Sequence, residues 1–201
     1  MRMTRNQLII SKVFIHTANL FALVWLYFAV VNGYLGSDPV KTMQQFTGKG
    51  ILHLLFLTLL ITPIAKSFKW GFLYKFRRLL GLYSFFWAVL HLFTFMWLDL
   101  AWEFSLIAEE IISRPYLIVG MLAWTILLLL AITSTKKIQA KMGKHWQRLH
   151  NWVYVAVGAG AIHYYWSVKS GLLEPGIYLG ITALLLALRY KKLRKLFQST
   201  T

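Results

Sequence analysis

Of 201 residues, 58% are hydrophobic and only 14% charged, and the mean hydropathy of +0.58 exceeds what a soluble domain could cover with polar surface, so the composition is that of an integral membrane protein. The absence of cysteine excludes disulfides, thiolate-held iron–sulfur clusters and covalent c-type haem, leaving histidine as the strong nitrogen ligand for a metal. The 22 Lys and Arg against 6 Asp and Glu give a net charge of +16, which in a membrane chain reports topology and attraction to an anionic lipid bilayer before it suggests nucleic acid.

Six apolar stretches approach the roughly 20 helical residues that cross a bilayer core of about 30 Å: 13–32, 50–65, 79–98, 115–134, 149–168 and 176–190. The first is long for a signal-peptide core, and no small-x-small cleavage site follows it, so it is expected to stay as a membrane helix. Asn32-Gly33 and Gly36-Ser37-Asp38-Pro39 break the chain before the second stretch, as turn residues do between helices. Residues 101–112 alternate apolar and acidic near helical spacing and read as a short helix lying on the interface. Arg114-Pro115 opens the fourth stretch, and Glu174-Pro175-Gly176 precedes the sixth. The predicted fold is an all-α, six-helix transmembrane bundle forming one domain over 1–201. No segment outside the apolar stretches is long enough for a soluble catalytic or nucleotide-binding unit.

Charges sort by alternate connections. Arg2, Arg5 and Lys12 precede the first helix; Lys66, Lys69, Lys75, Arg77 and Arg78 follow the second; Lys136, Lys137, Lys141, Lys144 and Arg148 follow the fourth; Arg189, Lys191, Lys192, Arg194 and Lys195 follow the sixth. The opposite side holds Lys41, Lys49, Arg114 and Lys169 together with all six acids, Asp38, Asp99, Glu103, Glu109, Glu110 and Glu174. By the positive-inside rule both termini are expected in the cytoplasm.

An ionisable side chain within a bilayer is costly and usually faces the bundle interior with a partner. His91 sits deep in the third stretch, His150 opens the fifth, and His163 follows 13 residues later. The third and fifth helices run in the same direction, and a rise of about 1.5 Å per residue puts His91 about 20 Å above Arg77 and His163 about 20 Å above His150. His91 and His163 therefore share an outer level. Two imidazoles at one depth could hold a b-type haem iron through both axial positions; the plainer reading is an interhelical hydrogen bond. On an ideal helix His150 and His163 lie about 140° apart, although Gly158 and Gly160 between them could admit distortion or close approach of a cofactor. At the inner level His150 is expected to ligate or border a second haem or a flavin, beside Arg77, Arg78 and Arg148, which suit propionates or a flavin phosphate, with His16 as a candidate second ligand by depth if that group is haem. For His16, His53 and His145 an interfacial, packing or solvated role is the simpler expectation.

At these histidines the chain resembles the ferric reductase-like transmembrane domains, in which a His-x13-His helix and a His-x12-His helix hold two stacked b haems. His150 and His163 match the second; in the first, His91 is present and Arg77 stands where the inner histidine would be. Within that superfamily the stretches Gly36-Ser37-Asp38-Pro39-Val40-Lys41, Gln45-Phe46-Thr47-Gly48, Leu59-Leu60-Ile61-Thr62-Pro63, Arg114-Pro115-Tyr116-Leu117, Leu149-His150-Asn151, His163-Tyr164-Tyr165-Trp166-Ser167-Val168-Lys169 and Leu188-Arg189-Tyr190-Lys191-Lys192-Leu193-Arg194 resemble the MsrQ (formerly YedZ) family, the haem-binding membrane subunits of bacterial MsrPQ systems. The resemblance implies an electron carrier in the bacterial inner membrane with one or two b haems, in some members also flavin mononucleotide (FMN). It would draw on the quinol pool or a cytosolic flavin reductase and deliver to a periplasmic MsrP-like molybdopterin reductase that repairs methionine sulfoxide. It also implies no terminal catalytic residues in the chain.

Two other readings remain open at this level. One is the transmembrane core of a ferric or metal-ion reductase, which usually carries a fused flavin and nicotinamide domain. The other is a small transporter, which the lack of a central Asp, Glu, Lys or Arg relay in any apolar stretch disfavours.

Overall fold

The structure, a computed structural model, describes residues 3–190. In chain order it contains α1 (Arg5–Val31), α2 (Pro39–Ser67), a 3-10 turn (Gly71–Phe76), α3 (Arg77–Thr94), a π turn (Phe95–Asp99), α4 (Phe104–Ser113), α5 (Pro115–Ile132), α6 (Lys136–Met142), α7 (Lys144–His150), α8 (Val153–Ser167) and α9 (Leu173–Ala187). Among the described residues there is no strand.

Four stretches are long and apolar enough to cross a membrane: Arg5–Val31, Pro39–Ser67, Gly71–Asp99 and Pro115–Ile132. The chain is a multi-pass membrane protein. α8 and α9 have 15 residues each, about 22 Å at 1.5 Å per residue and short of the roughly 30 Å core. Four of the six expected crossings therefore meet the length criterion on their own.

Capping explains where the boundaries depart from the apolar runs. α1 starts eight residues before the run at 13–32 because Thr4 and Gln7 form a reciprocal capping box. α2 starts well before residue 50 because the Asp38 carboxylate accepts from the Lys41 N–H at 3.0 Å and Pro39 occupies the first turn, where its missing N–H is no loss. Residues 40–49, polar enough to read as a connection, are thus helical and carry Gln44, Thr47 and Gly48 into the bundle. The basic stretch at 135–148 is folded as α6 and α7, the first capped by the Thr135 side chain. Of the stretch 101–112, where a short helix is expected, residues from 104 onward form α4, preceded by a turn with positive φ at Ala101 and Trp102. Of the basic tail, Arg189 is buried, while Lys191, Lys192, Arg194 and Lys195, like Arg2, lie outside the described residues.

The helices fall into two compact units, Met1–Glu103 and Phe104–Thr201. In the first, α2 packs along α3 around buried Leu54, Ile61, Phe76, Leu80 and Trp87, with Leu26 of α1. α1 is fastened to α3 by polar links, the Trp87 indole N–H donating to Asn19 Oδ1 at 2.9 Å and His16 Nδ1 meeting the Tyr83 hydroxyl. Its other face exposes Val13, Phe14, Phe21 and Val24, which suits contact with lipid chains. In the second unit α5 packs against α8 and α8 against α9. Ala156, Val157, Ala159 and Ala161 of α8 are buried, small side chains that let helix backbones approach closely in a membrane.

Candidate functional site

His91 lies one turn before the end of α3, half-buried. Its Nδ1 is 3.1 Å from the Gln44 carbonyl oxygen and 3.1 Å from Thr47 Oγ1, both on α2. A carbonyl oxygen only accepts, so the ring hydrogen is on Nδ1, and Nε2 is the lone-pair nitrogen of the neutral imidazole. The Thr47 hydroxyl, itself fully buried, donates back to the carbonyls of Met43 and Gln44 and so accepts a share of the His91 N–H.

His163 repeats this arrangement in the second unit. Its Nδ1 is 2.7 Å from the Tyr116 carbonyl oxygen on α5, which again fixes Nε2 as the lone-pair nitrogen. Tyr116 is held from the far side, since Arg114 donates to the Tyr116 hydroxyl at 3.2 Å and to Glu110 Oε1 at 3.0 Å. The Tyr116 hydroxyl and Glu110 carboxylate together raise the pKa of the Arg114 guanidinium.

His150 is different. It ends α7, and its Nε2 lies 3.1 Å from Thr133 Oγ1. That hydroxyl donates to the Leu129 carbonyl at 2.6 Å, so the hydrogen between Thr133 and His150 sits on Nε2, and Nδ1 is the lone-pair nitrogen of the neutral ring. Trp146 stacks on the imidazole with centroids 3.9 Å apart and donates its indole N–H to the Thr133 carbonyl at 2.9 Å.

The expected fifth helix is divided, with His150 on α7 and His163 on α8. The join is tight: Trp152, Tyr154 and Val155 each bond three residues back, to Leu149, Asn151 and Trp152. A 3-10 turn advances about 120° per residue against about 100° in an α-helix. Three such steps reduce the roughly 140° between His150 and His163 to about 80°. The glycines expected to relieve the geometry, Gly158 and Gly160, lie past this turn.

The remaining expected residues are placed as follows. Arg77 begins α3 half-buried and Arg78 is exposed. His16 is on the exposed side of α1 with Nδ1 at Tyr83. His53 and His145 are exposed. Among the described residues no group of three or more His, Asp or Glu could gather round a metal ion.

Sequence reasoning gave no role to the residues that meet the histidines: Gln44 and Thr47 for His91, Tyr116 for His163, Thr133 and Trp146 for His150. One signal was present. Each Nδ1 bond spans 47 residues of sequence, Gln44 to His91 and Tyr116 to His163.

A lone-pair nitrogen set by a backbone bond at the other ring nitrogen is the usual arrangement of a metal-ligating histidine. Residues 47–161 match the family of ferric reductase like transmembrane components. The chain belongs to that family. Its members' transmembrane domains generally bind haem, and the family points to transmembrane electron transfer. The donor chemistry of His91 and His163 fits that group. No solved structure matches the chain.

Proposed function

We propose that this chain is a b-type haem electron carrier of MsrQ type in a bacterial inner membrane, moving electrons outward to a periplasmic MsrP-like molybdopterin reductase that repairs methionine sulfoxide. The observation that carries the reading is that His91 and His163 each give Nδ1–H to a main-chain carbonyl and so offer Nε2 as the metal-binding nitrogen. Shared depth in the sequence pairs them as the axial ligands of an outer haem. The haem, when bound, supplies reversible one-electron chemistry at iron. The chain's own part is to hold the imidazoles in one tautomer and to keep water away with apolar helix faces.

Six membrane helices with both termini in the cytoplasm complete this reading, supported by the distribution of basic residues. An inner cofactor, a second haem or FMN, is placed by sequence depth near the basic ends of α3 and α7. Arg77 and Arg78 suit its propionates or phosphate. His150 ligates or borders that cofactor; with its Nε2–H directed to Thr133, Nδ1 is the nitrogen it would offer. Electrons enter from the quinol pool or a cytosolic flavin reductase.

The test is reconstitution in vesicles with reductant confined inside. Protein-bound methionine sulfoxide outside should be reduced only when the molybdopterin partner is present outside. Reduction by this chain alone, or a purified chain with no reduced-minus-oxidised haem bands, would overturn the reading.

A further inference from the structure

We propose that Gly48 and Gly120 are positioning residues that seat the imidazoles of His91 and His163, that the two seats are copies of one half-site within the chain, and that Gly120 is the stricter of the two. This inference rests on the haem reading above.

The spacing of the two seats is symmetric. Moving 72 residues along the chain carries Gln44 to Tyr116, Gly48 to Gly120 and His91 to His163. In both copies the glycine lies four residues after the residue whose carbonyl accepts from the histidine. Both copies are built on a helix pair that packs together, α2 with α3 and α5 with α8.

Helix geometry gives the glycine its reason. In an α-helix the carbonyl of residue i already accepts from the N–H of residue i+4, and the side chain of residue i+4 leans back toward the N-terminus beside that carbonyl. A bare Cα at that position lets a ring from the next helix come down onto the carbonyl. A Cβ built at Gly120 would stand 2.7 Å from His163 Nδ1 and 2.9 Å from Cε1, well inside contact distance. At Gly48 it would stand 3.3 Å from His91 Cε1 and 3.5 Å from Nδ1, so the ring need give only a few tenths of an ångström. At Gly120 the ring or the helix beneath it must shift. At Gly48 the ring can tilt and stay.

By contrast, a Cβ at Gly81 of α3 or Gly180 of α9 meets nothing within 4 Å. There alanine should only gain helix propensity, since glycine is the poorer helix former. These two variants separate the effect of adding a methyl group anywhere in the bundle from the effect of adding it beneath an imidazole.

The experiment uses the full chain purified in detergent, with haem per chain, visible spectra, midpoint potential and carbon monoxide binding of the reduced form measured for wild type and four alanine variants. Wild type should show the low-spin bands of the outer haem, and its carbon monoxide binding sets the baseline for the variants. Gly120→Ala should lose the low-spin spectrum, bind carbon monoxide on reduction, and regain a low-spin spectrum when imidazole is added. Gly48→Ala should keep its low-spin spectrum with a shifted midpoint potential. Gly81→Ala and Gly180→Ala should match wild type. Low-spin wild type with an unaltered Gly120→Ala would overturn this inference alone. Wild type without haem would overturn the functional reading and this inference together. Should Gly120→Ala fail to fold, Gly48→Val, which presses a larger side chain onto the gentler seat, replaces it with the same two outcomes.

Discussion

Thr47→Val isolates one atom of the His91 seat. Valine keeps the shape of threonine, and the side chain is fully buried, so the substitution removes a hydroxyl without opening a cavity. The hydroxyl's donated bonds stay within its own helix, to Met43 at 2.9 Å and Gln44 at 3.1 Å, and their loss should change stability by about 1 kcal/mol or less. The larger consequence is electronic. His91 shares its N–H between the Gln44 carbonyl and Thr47 Oγ1, both at 3.1 Å. An acceptor at Nδ1 makes the ring a stronger donor at Nε2 and favours the more positive, oxidised iron. Removing one of two acceptors should forfeit about half of a hydrogen bond worth about 1 kcal/mol. With about 59 mV per 1.4 kcal/mol for a one-electron couple, the midpoint potential should rise by at most about 20 mV, the full value applying if the bond stabilises the oxidised state alone. A redox titration followed at the haem bands, with haem content and spin state unchanged, measures this. A fall in potential, or no change, would refute the assignment of Nδ1 as donor to Thr47.

Asn19→Leu removes the acceptor of the Trp87 indole N–H and should lower stability in detergent by about 0.6 kcal/mol, the average for interhelical hydrogen bonds in membrane proteins, and by no more than about 1.7 kcal/mol; an unchanged melting curve would deny that α1 is fastened there. Glu110→Gln breaks an ion pair spaced i,i+4 with Arg114, whose side chain is 48% exposed. Its cost should stay below about 0.5 kcal/mol and shrink with salt, while the haem spectrum is unaltered. His150→Ala should leave the outer haem's low-spin spectrum intact and slow electron entry from the inner side, measured by stopped-flow reduction with a quinol analogue. Unchanged cofactor content together with unchanged entry would remove His150 from the electron path. His163→Ala and His91→Ala should each abolish the low-spin form, and full retention in both would sink their pairing.

The helix boundaries show how far local information reaches. Asp38-Pro39 is a readable helix start, yet hydropathy alone begins the second span at residue 50 because residues 40–49 are mixed in polarity. Capping and propensity, not apolarity, make them helical. The same limit hides the break between α7 and α8. Asn151 and Trp152 keep helical backbone angles, and only the switch to bonds three residues back marks the turn.

By itself the sequence determined that the chain is helical and membrane-bound, and that its basic residues gather in alternate connections. Each of these follows from composition, period and rise per residue, quantities local to one helix. Which nitrogen each imidazole presents is decided only by tertiary structure. It depends on a carbonyl 47 residues away, uncovered by a glycine whose sole signal is the absence of a side chain. The 72-residue repeat of those glycines and histidines was written in the sequence, but spacing between unlike residues carries no meaning until packing shows that they touch.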